Sequence, residues 1–368
     1  MKVGIITLND YQNFGNRLQN YASECLLREF GCDVETICIY RDINRIMKKN
    51  RYKLEKVFRT NIYSIVWKIR EMIRKREYKE KYRKREERFH QFSDKYLTET
   101  EYMVNKDKKF EEIEEKFDAF FVGSDQVWNP NYEDGRKTFY LPNIKKKKIA
   151  LAASFGISLD KCEIGEQEIE LIRRFSDISV REESAVNYLK NVGIEATLLA
   201  DPTLLLETSK WEKLISEKRE STLPEEYVLV YFLGPVSIEI QKRIKQIAKR
   251  DNLKIIDIMD PKTVMFEDMD PIYFLQYIRA AKIIFTDSFH ACVFSIIFKR
   301  PFIVSERKTS SQKLSSRIDT LLNMFALNDR KYECIDWENI YDVDFENNEE
   351  TILNLQIRGR KFIKKALV

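Results

Sequence analysis

Histidine is almost missing from this chain: His90 and His290 are the only two in 368 residues. A multi-histidine metal site is therefore excluded. Composition leaves room for a carboxylate-bound magnesium, but no motif calls for one, and no cofactor is expected. Glycine and proline are scarce as well, at ten and eight, and no low-complexity segment or internal repeat is present. No apolar run approaches the roughly 18 residues of a membrane span. The opening Met1-Lys2-Val3-Gly4-Ile5-Ile6-Thr7 is short in apolar residues and lacks a small-residue cleavage site. It reads as a first strand, and a cytoplasmic protein is expected. The six cysteines (Cys25, Cys32, Cys38, Cys162, Cys292, Cys334) form no C-x-x-C pair. In a chain with no secretion signal, reduced and mostly buried thiols are expected.

What is abundant is positive charge in one region. Residues 41–88 hold 19 Lys/Arg against 7 Asp/Glu, a local +12, so the rest of this +5 chain carries −7. No RNA- or DNA-binding motif accompanies the excess, and no nucleic-acid partner is expected. Ile62, Ile65, Val66, Ile69 and Ile73 form one apolar helical stripe, and Arg74–Phe92 is nearly all charged. Arg41–Tyr96 therefore reads as a basic helical insertion. Its helices have either a solvated face or a face in peripheral contact with an anionic membrane.

Around that insertion the pattern alternates between strand and helix. Lys2–Leu8 reads as a strand, Arg17–Phe30 as a helix stopped by Gly31, and Asp33–Tyr40 as a strand. Strands follow at Ala119–Val122, Lys148–Ala153, Asp177–Val180 and Ala196–Leu199, with helices at Gln167–Phe175 and Glu182–Asn191. Glu207–Glu226, charged and containing Pro224, reads as a linker. A second series has strands Tyr227–Phe232, Lys254–Ile258, Lys282–Thr286 and Phe302–Val304. Between them lie helices Ile238–Arg250, one capped by Asp270 with Pro271 at its first position, and Phe289–Phe298. The expected fold is α/β: two Rossmann-like domains facing each other across a cleft. The expected boundaries are 1–206 (with 41–96 inserted), linker 207–226, 227–345, and a C-terminal helix in 346–368 packing back on the first domain.

Several segments stand where strands end and helices begin, which is where doubly wound sheets bind ligands. They are Asn13-Phe14-Gly15-Asn16, Gly123-Ser124-Asp125-Gln126-Val127-Trp128-Asn129, Ala153-Ser154-Phe155-Gly156, Ser179-Val180-Arg181-Glu182-Glu183 and Thr286-Asp287-Ser288-Phe289-His290. In this order, with Leu199-Ala200-Asp201-Pro202-Thr203-Leu204 and Pro301-Phe302, they resemble the polysaccharide pyruvyl transferase family from Lys2 to about Leu327. The resemblance implies a GT-B-like fold with a phosphoenolpyruvate site in the interdomain cleft. It also implies transfer of pyruvate to two hydroxyls of a sugar as a cyclic ketal, in surface or capsular polysaccharide synthesis. The acceptor would be a sugar, such as a lipid-linked oligosaccharide or a finished polymer. Basic residues would recognise the donor, and a histidine at the place of His290 would be the general acid. Ser288 departs from the family, many members of which carry arginine there. Arg317 is the first candidate for the missing charge, with Lys308 or Lys313 behind it.

Read residue by residue, the site keeps its alternatives. His290, at the start of a helix after a buried strand, is either a proton donor to the enol carbon or a core histidine. Asp287 either orients His290, favouring its acid form, or caps the helix. Arg181 points its fork into the crevice for carboxylate and phosphate, or makes a surface ion pair. Gly15 and Gly123 mark close ligand approach or plain tight turns. Asn13 and Asn16 bind acceptor hydroxyls, or Asn16 is a helix cap. Asp125 is a base for the attacking hydroxyl or a cap. Trp128 stacks on a sugar ring or fills a core. Ser124, Gln126 and Ser154 complete the expected substrate contacts. The rival functions are a GT-B nucleotide-sugar glycosyltransferase and a non-catalytic sugar- or anion-binding protein.

Overall fold

The computed structural model describes residues 1–39, 62–104, 109–130, 136–159, 164–218, 226–307 and 316–368. Arg41–Asn61 of the expected insertion, Arg219–Glu225 of the expected linker, Cys162, Lys308 and Lys313 lie outside them. The chain forms two compact units: Met1–Leu54, Ser93–Leu206 and Ile352–Val368 in one, Glu55–Phe92 and Glu207–Thr351 in the other.

The first unit is built on seven strands: β1 Lys2–Ile6, β2 Asp33–Ile39, β3 Glu99–Val104, β4 Ala119–Val122, β5 Lys147–Ala153, β6 Asp177–Val180 and β7 Thr197–Leu198. They pair in parallel in the order β3-β2-β1-β4-β5-β6-β7. β4 is buried at every position, as a strand covered on both faces must be, which is why it reads as an unbroken apolar run. The order reverses between β1 and β4, where Val3 pairs with Ala119 and Ile6 with Val122. The carboxyl ends of those two strands therefore open the crevice of this unit. Helix Phe14–Glu29 follows β1 and is capped by Asn13, whose side chain accepts from the Asn16 amide at 3.2 Å. Asn16 is thus inside the helix, and the cap is Asn13. The C-terminal helix Asn348–Ala366 packs onto this unit through Gly359 against Leu205, Arg360 to Glu29 at 2.6 Å and Lys365 to Asp177 at 3.3 Å.

The second unit has four parallel strands, β8 Tyr227–Tyr231, β9 Lys254–Asp257, β10 Ile283–Thr286 and β11 Phe302–Val304, in the order β11-β10-β8-β9. Its crevice opens at the ends of β8 and β10. Helix Ile238–Arg250 covers the sheet with Ile240, Ile244 and Ile247, spaced for one buried face, and Ser237 caps it. Within the expected linker, Thr208–Ser216 is helical, because Trp211, Leu214 and Ile215 bury a narrow stripe.

The basic insertion divides differently from its expected place in the first domain. Helices Ile62–Glu77 and Lys79–Tyr96 belong, up to Phe92, to the second unit. Arg85 donates to Ile258 O at 3.2 Å, Lys81 to Pro261 O at 2.9 Å, and Arg88 pairs with Asp268 at 2.8 Å. Tyr82 meets Phe266 edge-on at 4.9 Å, and the Arg85 guanidinium lies 4.5 Å over the same ring. Burial pulls Arg85 down to about 10. Part of this positive charge is internal structure and not a solvated face.

Candidate active site

In the first unit the expected residues converge, but on one another. Arg181, at the end of β6, is almost wholly buried. One arm of its fork bonds Asp201, and the other reaches Asp125 Oδ1 at 3.1 Å. Burial alone would lower this guanidinium. The carboxylates of Asp201, Asp125 and Glu182 outweigh that and hold it above its ordinary value. Arg181 is therefore a buried cation whose fork is engaged by the carboxylates of Asp201 and Asp125, a buried ion pair where the sequence left open a surface pair or a fork turned into the crevice. Asp125, in turn, pairs with Arg181 and accepts from Asn16 Nδ2 at 3.5 Å.

The rest of the crevice floor shares this logic. Gly123 has φ +122°, and a Cβ there would stand 2.3 Å from the Leu151 carbonyl, so only glycine fits. Ser124 Oγ lies 2.8 Å from Ala152 O and 3.0 Å from Asp201 Oδ2. Its amide donates to Gln19 Oε1 at 3.1 Å, and Gln19 donates to Thr7 Oγ1 at 2.8 Å. Ser154 Oγ bonds Glu182 Oε1, and both accept from the Gly156 amide. Ser124 and Ser154 thus brace the loops and are buried, not presented to a substrate. Gly15 is an ordinary second residue of helix Phe14–Glu29 and does not form a tight turn. Asn13 and Gln126 are half-buried, and Gln126 accepts from Asn129 Nδ2 at 2.6 Å.

Trp128 is a core residue. It is 1% exposed, stacked on Tyr140 at 5.8 Å, tilted against Phe155 and edge-on to Phe175 at 5.5 Å each, and its indole donates to Phe139 O at 3.4 Å. An indole enclosed on all sides has no face for a sugar ring.

In the second unit, His290 follows β10 in the first turn of helix Phe289–Ile297, with its ring 5.2 Å from that of Phe289. Ser288 caps this helix, accepting from the Ala291 amide at 3.4 Å. Asp287 is neither the cap nor bonded to His290. It accepts from the Leu233 amide at 2.7 Å and from Arg307 Nε at 2.9 Å. Arg307 also donates to the Asp287 carbonyl at 3.3 Å. Its stem lies against Gly234, where a Cβ would come within 2.7 Å of Arg307 Cγ. Arg317, in helix Ser316–Met324, holds its guanidinium 5.6 Å over the Phe289 ring. The expected cation Arg317 therefore stands beside the residue next to His290.

Sequence reading missed Arg307, and it held Asp201 and Glu182 only as members of motifs, without a role. Asp201 had a signal, an Asp-Pro step after a strand, where an aspartate caps the short helix Pro202–Leu205. Arg307 had only its place just after β11.

No curated protein matches the sequence. Among solved structures, the chain is similar to the UDP-GlcNAc 2-epimerase of Neisseria meningitidis bound to UDP-GlcNAc. That match has 12% identity, covers 100% of this chain and 99% of the other, and has a TM-score of 0.51. A second likeness, to the Methanocaldococcus jannaschii UDP-GlcNAc 2-epimerase in complex with UDP-GlcNAc and UDP, has 17% identity, coverage of 97% and 100%, and a TM-score of 0.49. At such identity the first of these speaks for fold alone, and that fold is of the GT-B type. The family model described as polysaccharide pyruvyl transferase matches residues 13–308, most of the chain and all five strand-end segments, and the protein belongs to that family.

Proposed function

We propose that the protein transfers pyruvate from phosphoenolpyruvate to two hydroxyls of one sugar, forming a cyclic ketal and releasing phosphate. Membership in a family of transferases of polysaccharide biosynthesis supports the class of reaction. The observation that carries the donor assignment is the grouping at the end of β10. There, His290 stands in a helix's first turn, with Arg317 over its neighbour Phe289 and Arg307 locked to Asp287.

The chemistry follows from what the donor needs. Protonation of the enol methylene carbon by His290 makes the central carbon electrophilic. A sugar hydroxyl attacks that carbon and gives up its proton, restoring the acid. A second hydroxyl of the same sugar then displaces phosphate, which leaves with the remaining proton. The donor's carboxylate and phosphate need fixed positive charge, and Arg317 and Arg307 are the cations of this unit suited to supply it. Arg181 and Asp125 are not assigned donor or base roles; they hold the first unit's crevice. Asn13 and Gln126, half-buried at that crevice, are the proposed contacts for the acceptor sugar.

The biological setting we propose is surface or capsular polysaccharide synthesis in the cytoplasm, on a lipid-linked acceptor at the inner face of the membrane. The +12 of residues 41–88 supports peripheral contact with anionic lipid there. The experiment is calorimetric titration with phosphoenolpyruvate and with a panel of nucleotide sugars, followed by phosphate release in the presence of acceptor glycans. Binding of phosphoenolpyruvate and acceptor-dependent phosphate release are expected. Binding of a nucleotide sugar in its place would make the protein a glycosyltransferase. Binding without turnover of any acceptor would leave it a binding protein.

A further inference from the structure

Helix Ile62–Glu77 is turned inside out. Trp67, Glu71 and Arg74, with Tyr78 just past its end, are spaced by four, three and four residues and form its half-buried side. Glu71 accepts from the Tyr82 hydroxyl at 3.0 Å and pairs with Arg74, while Lys75 Nζ lies 5.6 Å over the Tyr82 ring. The side facing solvent is apolar: Val66, Ile69, Met72 and Ile73 are 44%, 47%, 54% and 59% exposed. Eleven large apolar side chains are exposed among the described residues, and four of them fall within these eight positions. Scattered apolar side chains need no explanation, but a contiguous patch marks a surface that something covers.

Charge decides what covers it. The helix holds five Lys/Arg (Lys68, Arg70, Arg74, Lys75, Arg76) against two acids, Glu71 and Glu77. Glu71 is already tied to Tyr82 and Arg74, and Arg70 and Arg76 are exposed beside the apolar patch. A second copy of the chain would bring the same +12 stretch against itself and be repelled. An anionic bilayer offers what both features ask for, an acyl boundary for the apolar side chains and phosphates for the arginines. Among the described residues no helix is long and apolar enough to cross a membrane, so the contact lies in the interface plane.

We infer that helix Ile62–Glu77 is an in-plane membrane anchor, inserting Val66, Ile69, Met72 and Ile73 between anionic lipids while Arg70 and Arg76 lie on their headgroups. The inference deepens the proposed contact with anionic membrane and rests on it, but not on the ketal chemistry.

The test is flotation of the full-length protein with phosphatidylcholine vesicles, with and without phosphatidylglycerol, comparing wild type with the Ile69→Gln/Met72→Gln/Ile73→Gln triple variant. These side chains are exposed, so an unchanged melting temperature is expected and is checked. Wild type should bind the phosphatidylglycerol vesicles and weaken with added salt. The variant should bind them about tenfold or more weakly, since partitioning scales with the apolar area inserted. Equal binding by the variant would overturn the anchor and leave contact by charge alone. No binding by wild type to either vesicle would overturn the anchor and the membrane contact together. If the variant instead converts a dimer to a monomer in sedimentation velocity, the patch is a subunit interface and the anchor is overturned.

Discussion

Arg307 Nε donates to Asp287 Oδ2 at 2.9 Å while its stem runs across the bare face of Gly234. The pair fixes a cation at Asp287, three residues before His290, and under the proposed function it supplies the charge that many members of the family carry as an arginine where Ser288 stands. Two substitutions test it. Arg307→Ala should weaken phosphoenolpyruvate binding by about 1.5–3 kcal/mol, the range for a hydrogen bond to a charged group. Gly234→Ala should act in the same direction and more mildly, because its Cβ would push the Arg307 stem aside without removing the charge. Unchanged donor affinity in both, measured by calorimetry, would take Arg307 out of the site.

Arg181 answers to a different measurement. Its charge is buried against Asp201 and Asp125, and removing one partner of such a pair costs about 3–5 kcal/mol. Arg181→Ala should therefore lower the melting temperature of the ligand-free protein sharply. A variant that melts like wild type and only loses donor affinity would return Arg181 to the role of a phosphate ligand.

Trp128→Ala follows the same logic in the core. The indole is enclosed by Tyr140, Phe155 and Phe175, and truncating a buried Trp costs about 3–5 kcal/mol. Trp128→Phe should recover most of that stability. Normal melting with a selective rise in acceptor KM would show that the ring faces sugar after all.

These contrasts mark where sequence stops being legible. Local pattern is enough for helix Ile238–Arg250, whose Ser237 cap and buried Ile240, Ile244 and Ile247 are all close neighbours in the chain. It was enough, too, to put His290 and Arg181 at strand ends. It misses β3, because an edge strand reading Glu-Thr-Glu-Tyr-Met-Val needs no apolar run. Thr208–Ser216 passes for linker because three buried side chains leave the other positions polar or charged. Pairings such as Arg181 with Asp201 or Arg307 with Asp287 join residues 20 apart through different strands, and no periodicity records them. The strand-end arginine is thus legible in the sequence while its buried partners are not.

Glu24 gives a pH dependence with a defined sign. Buried beneath β2, it accepts from Thr36 Oγ1 at 2.7 Å, the Thr98 amide at 3.0 Å and Arg28 at 2.9 Å. Burial is the dominant cause, and it raises the carboxyl above its ordinary 4.5 despite those donors. The folded state therefore keeps this proton after the unfolded chain has lost it. The resulting stability is fully present below pH 4.5 and is lost as pH rises through the folded value. Denaturant melts of wild type and Glu24→Gln between pH 4.5 and neutral should show the wild type losing ground as pH climbs. The opposite slope would mean that the hydrogen bonds outweigh burial.

His290 bears the reaction itself. His290→Asn keeps approximate size and a hydrogen-bonding side chain but removes the transferable proton. If His290 protonates the enol carbon, kcat should fall by about 10²–10⁴-fold, while donor affinity, set by Arg307 and Arg317, changes much less. A histidine that only packs against Phe289 predicts otherwise: early melting, with binding and turnover lost together. Melting temperature, donor affinity and kcat, read on one preparation, separate the two roles. Near-normal turnover by a well-folded His290→Asn protein would remove the histidine from the chemistry and require a different proton donor.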